Sequence, residues 1–163
     1  RLVGRHLERA VADGSDAEAR EGMALASLYG GLCLGPVNTA AVHALSYPLG
    51  GEFHVAHGIS NAVLLPAVME FTLPAAPQRY AEIARALGAE EGTSPEATAR
   101  AGVARVREVM RRCAVPQGMR ALGVPEEAIP HMAVAAMQVT RLLRNNPREL
   151  TLADAEAIYR SAY

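Results

Sequence analysis

Tryptophan and lysine are both absent from this 163-residue sequence, and aromatic residues make up only 4% of it. So few rings exclude a stacking platform for single-stranded nucleic acid. All 16 basic residues are Arg, and 17 acidic ones leave a net charge of −1, so there is no positive excess to hold a phosphate backbone. The two cysteines, Cys33 and Cys113, make no disulfide framework, and a reducing cytoplasm is the expected compartment. No apolar run approaches about 18 residues, which predicts that nothing here crosses a membrane. A starting Met and a signal-like segment are also missing, and Arg1 reads as the first residue of a fragment. Half of the residues are hydrophobic and a fifth charged, with Ala at 32 positions. That excludes a disordered chain. One domain of this length removes roughly 70% of its unfolded surface from water.

The helical period is the only one present. Ser15-Asp16-Ala17-Glu18 has capping-box spacing, with Ala19, Met23, Ala26 and Gly30 following at three- and four-residue steps. Pro77-Gln78 opens another helix and Gly88 closes it. Ser94-Pro95-Glu96 opens the next, whose Val103, Val106, Val109 and Met110 form one apolar stripe. Thr151 with Asp154 starts a last helix, running roughly to Tyr163. Breaks fall at residues 48–51, 74–77, 115–118 and 145–147. Strand alternation and hairpin signals are missing, so the prediction is one all-α domain over residues 1–163 with roughly seven to nine helices.

The segment from Leu34 to Met69 holds three of the five histidines, His43, His54 and His57. Val37 to Tyr47 reads as a buried helix that Pro48 ends, and Gly50-Gly51 supplies a reversal. A second apolar helix follows His57-Gly58, kinked or tightened in its first turns by Pro66. On one unbroken helix His43 and His57 would lie about 21 Å apart. They share a ligand only if the chain doubles back between them. A lone His in an apolar helix is more often a core residue with one hydrogen bond than a metal ligand. His54 and His57 can equally form a surface pair, and the spacing leaves these readings open. Cys33, Leu34 and the Met residues read first as packing residues.

The order His43-Ala44-Leu45-Ser46-Tyr47-Pro48-Leu49-Gly50-Gly51, then Phe53-His54-Val55-Ala56-His57-Gly58, then Asn61-Ala62-Val63-Leu64-Leu65-Pro66, closely resembles the signature of iron-containing alcohol dehydrogenases. Ala19-Arg20 with Met23-Ala24, and Asn146-Pro147-Arg148 with Leu150-Thr151, extend the resemblance over the whole chain.

The resemblance implies a two-part protein, with an N-terminal α/β dinucleotide-binding domain and a C-terminal all-α domain of the dehydroquinate synthase-like type. Only the second part is similar to this chain. The implied activity is hydride transfer between an alcohol and NAD or NADP, with Fe²⁺ (Zn²⁺ as the alternative) as Lewis acid. The dinucleotide is bound mainly by the absent domain. Of the family's four metal ligands, the last two match His43 and His57. The Asp and His before them fall upstream of Arg1, and Asp16 and His6 do not align with them. Where many members carry a further His near the substrate, this sequence has Tyr47, whose phenol would shape the pocket and donate one hydrogen bond. Leu34 matches a hydrophobic substrate-pocket position.

The expected partners are an alcohol or aldehyde and further copies of the protein, with no nucleic acid and no membrane. The chain alone is expected to be inactive. Its apolar face near His43, Tyr47 and His57 is expected to be covered by another chain. The alternative functions are a keto-acid reductase of the maleylacetate reductase type and a non-catalytic helical association module.

Overall fold

The computed structural model describes residues 1–163 as nine α-helices joined by short turns and 3-10 segments, without a β-strand. The helices are α1 (Leu2–Ala12), α2 (Ala17–Val37), α3 (Ala41–Phe53), α4 (His57–Thr72), α5 (Pro77–Ala86), α6 (Pro95–Arg112), α7 (Ile129–Met137), α8 (Thr140–Leu143) and α9 (Leu152–Ser161). This is the all-helical class that the apolar period predicts. The helices collect into two compact units, residues 1–38 with 76–114, and residues 39–75 with 115–163.

In the first unit α1 packs on α2 and α5 on α6. Both pairs meet at a glycine. A Cβ on Gly102 would lie 2.6 Å from the Cβ of Ala84, and one on Gly22 would lie 2.3 Å from the His6 ring. Only a residue without a side chain lets these surfaces approach so closely. Glu8 on α1 pairs with Arg105 and Arg112 on α6. The start of α6 is as expected, with Ser94 accepting from the Ala97 N–H at 3.1 Å and Pro95 in the first turn. Gly88, at φ 78°, follows the end of α5.

The start of α2 differs from the expected capping box. Asp16, not Ser15, is the cap, accepting from the Ala19 N–H at 3.0 Å. Glu18 turns away to accept from Arg9 at 2.8 Å, while the Ser15 hydroxyl donates to Asp13 at 2.6 Å. A carboxylate is the stronger acceptor for the helix amides, and Arg9 claims the glutamate that a serine cap would have used.

The second unit holds the contiguous core. Its α3 packs on α4, α7 and α8, and α9 packs on α4 and α7. Leu45, Leu49, Leu64, Ile129, Met132 and Tyr159 are sealed from solvent. Each such side chain contributes about 1.5–3 kcal/mol by leaving water. The Tyr159 hydroxyl donates to the Leu45 carbonyl at 2.6 Å. In the Asn146-Pro147-Arg148 turn, Arg148 donates to the Phe71 carbonyl at 2.9 Å and lies 4.0 Å over its ring, fastening the turn to the end of α4.

Two boundaries fall elsewhere than expected. Val37 belongs to α2, and Asn38, at φ 66°, makes the break before α3. Then α3 continues through Pro48, Gly50 and Gly51 to Phe53. Pro48 deprives the helix of one amide, yet neighbouring carbonyls gain side-chain donors. His43 O accepts from the Ser46 hydroxyl at 2.9 Å, and Leu45 O accepts from Tyr159. The reversal comes three residues after the glycines. His54 is left-handed at φ 54°, a region in which His is enriched among non-glycine residues, and the Val55 N–H closes back on Leu49 O at 3.1 Å.

The segment His57–Ala75 is long and apolar enough to cross a membrane by length and composition, with a mean hydropathy of 1.2 over its best window. His57, Asn61 and Glu70 punctuate the segment, so it holds no uninterrupted apolar run of that length. Ser60, Val63, Leu64, Ala67, Val68, Met69 and Thr72 along it are buried in the second unit, which makes it a core helix.

Candidate metal centre

The reversal at His54 brings α3 and α4 side by side, and with them the two histidines. His43 lies in the first turn of α3, His57 opens α4, and their ring centroids are 5.2 Å apart with the planes tilted by 55°. Two imidazoles bound to one ion at about 2.0–2.1 Å per nitrogen place their centroids about 4.5–5.5 Å apart for bond angles between a right angle and tetrahedral. The observed separation of 5.2 Å falls within that range.

His43 is partly buried. Burial, and secondarily the charge His57 would carry, hold it below the ordinary histidine value. The depressed ring stays neutral over more of the pH range, which is the form that ligates. No third His, Cys, Asp or Glu joins the pair. Two nitrogens leave a metal site open, and imidazole suits Fe and Zn alike.

Around the pair, the structure places the other expected residues unequally. Tyr47 stands one turn along α3 from His43 and is 44% exposed. His54 sits in the turn itself, exposed. Leu34 lies on α2, in the other unit, with 55% of its surface bare.

One neighbour enters the sequence only as part of the family signature, with no role assigned to it. Asn61, one turn after His57 on α4, donates from Nδ2 to the His57 carbonyl at 2.8 Å. The same nitrogen lies 3.3 Å from Nδ1 and 3.2 Å from Nε2 of the His57 ring. The four-residue interval from His57 was the available clue, because residues so spaced share a helix face.

Comparison with known proteins identifies the family. Residues 1–163 match the Fe-containing alcohol dehydrogenase family, C-terminal. The chain is 42% identical over 165 residues to long-chain-alcohol dehydrogenase 1 of Geobacillus thermodenitrificans, and 38% identical over 164 residues to 1,3-propanediol dehydrogenase of Klebsiella pneumoniae. Both alignments take in all of this chain and 42% of the relative, so the chain spans about two fifths of their length. A crystal structure of 1,3-propanediol oxidoreductase superposes with a TM-score of 0.95 at 38% identity, covering 99% of this chain and 42% of that one. With a whole-chain match, relatives above 30% identity and a superposable all-helical fold, the chain belongs to the Fe-containing alcohol dehydrogenase family and corresponds to its C-terminal part.

Proposed function

We propose that this chain forms the metal-binding part of a nicotinamide-linked alcohol dehydrogenase, with His43 and His57 as two of the ligands. The observation that carries the reading is the pair of imidazoles 5.2 Å apart on adjoining helices, in a chain that matches this family throughout. The ion, Fe²⁺ on the family resemblance, supplies Lewis acidity toward an alcohol or carbonyl oxygen when bound. His43 and His57 offer it neutral nitrogens. Tyr47, on the same helix and 44% exposed, is the proposed donor of a phenolic hydrogen bond to a substrate oxygen.

The dinucleotide is assigned to the remainder of a longer protein. Gly30, Gly31 and Gly35 lie within α2 and not in the strand-to-helix turn that cradles a pyrophosphate. With two nitrogen donors brought together and the dinucleotide assigned elsewhere, the chain alone is expected not to turn over, and an assay of the isolated 163-residue chain checks it.

The test uses the full-length protein. Replacing His57→Ala is expected to lower bound iron and turnover together, whereas His54→Asn, which alters the turn residue but keeps a side chain that tolerates left-handed backbone, retains both. Unchanged metal content in the His57 variant overturns the assignment.

A further inference from the structure

Asn61 does more beside His57 than fill space. Its Nδ2 is nearly equidistant from both ring nitrogens, at 3.3 and 3.2 Å. An atom so placed cannot lie in the ring plane, because Cε1 stands between those nitrogens and would be struck. The amide nitrogen therefore rests against the imidazole face. Neither nitrogen edge is used up by the contact, and the in-plane lone pair and N–H of His57 stay free.

The 2.8 Å bond to the His57 carbonyl also fixes which way round the amide lies, because the flipped amide would set two carbonyl oxygens against each other. In this orientation Oδ1 is buried without a partner. An apolar side chain of similar size would avoid that desolvation penalty, so packing does not account for an amide at this position. A histidine χ2 is broad and has little rotameric preference of its own, so a face contact is what restrains it.

We propose that Asn61 is a positioning residue for His57. Anchored on the His57 carbonyl, its amide clamps the ring by its face and limits its rotation, leaving both ring nitrogens uncommitted. The benefit to metal binding rests on the reading above, while the clamp is a property of the metal-free protein. Outer contacts that orient a ligating histidine are typically worth 10- to 100-fold in metal affinity.

The experiment takes Asn61→Leu and Asn61→Ala side by side in the full-length protein, with Asn61→Gln as the conservative variant. Side-chain NMR relaxation reads the His57 Cε1–H order parameter without metal, and titration with Co²⁺ reads affinity. The Leu and Ala variants are expected to show a more mobile His57 ring and Co²⁺ binding weakened about 10- to 100-fold, with helix content preserved and both readouts partly restored by Gln. An unchanged order parameter in both variants overturns the proposal. A loosened ring in a protein whose unsubstituted form binds no Co²⁺ upholds the clamp and instead overturns the metal assignment.

Discussion

Tyr159 heads the fully buried side chains by volume, and its hydroxyl crosses the core to the Leu45 carbonyl at 2.6 Å. Burial first, and the Glu52 charge second, push its phenol above the ordinary tyrosine range, so it remains a donor at any working pH. Tyr159→Phe keeps the ring and deletes the bond. It is expected to cost about 0.5–1.5 kcal/mol, read as a lower urea midpoint at unchanged slope. At this scale the sequence is legible where chemistry is rare. Five histidines in 163 residues make His43 and His57 conspicuous, and the family resemblance singles them out. Asn61 and Tyr159 were invisible as site and core-bonding residues because their roles are relations. One depends on a ring four residues back, the other on a carbonyl 114 residues away.

Helix ends show the same division. The box at the start of α9 forms as read from sequence: the Asp154 N–H donates to the Thr151 hydroxyl at 3.2 Å and the Thr151 N–H to the Asp154 carboxylate at 2.9 Å. The Thr151 hydroxyl, then its amide, lower the Asp154 value below the usual aspartate range. A carboxyl depressed in the folded state contributes stability above its unfolded value, about 3.9, and loses it as pH falls through the folded value. Fraying of α9, seen by amide exchange, is therefore expected as pH falls below the ordinary aspartate range. Asp154→Asn is expected to remove that pH dependence and leave a weaker cap throughout. The α3 boundary was not legible. Proline inside a helix costs about 3 kcal/mol or more, a local rule that placed the end at Tyr47. Side-chain donors to the carbonyls around it, one of them arriving from α9, favour continuation to Phe53.

Across the whole molecule, the C-terminal half of α2 stands out. Leu28, Tyr29, Leu32, Leu34 and Val37 are each more than half exposed, an apolar run that monomeric surfaces seldom leave bare. Of the face expected near the histidines, Tyr47 is the large hydrophobic side chain lying open. The isolated 163-residue chain is expected to bind an apolar dye such as anilinonaphthalene sulfonate while remaining helical. Leu28→Gln with Leu32→Gln should lower the fluorescence without lowering the melting temperature; dye binding unchanged by both substitutions would locate the exposed surface elsewhere. By itself the sequence determined the helical class and most helix starts, because apolar period and caps act over a few neighbours, and its family resemblance made His43 and His57 the candidate pair. Only the tertiary structure decided that His43 and His57 meet, where the chain turns between them, and which amide rests on the second ring. Those outcomes depend on donors and packing surfaces from distant helices, and no local propensity records them.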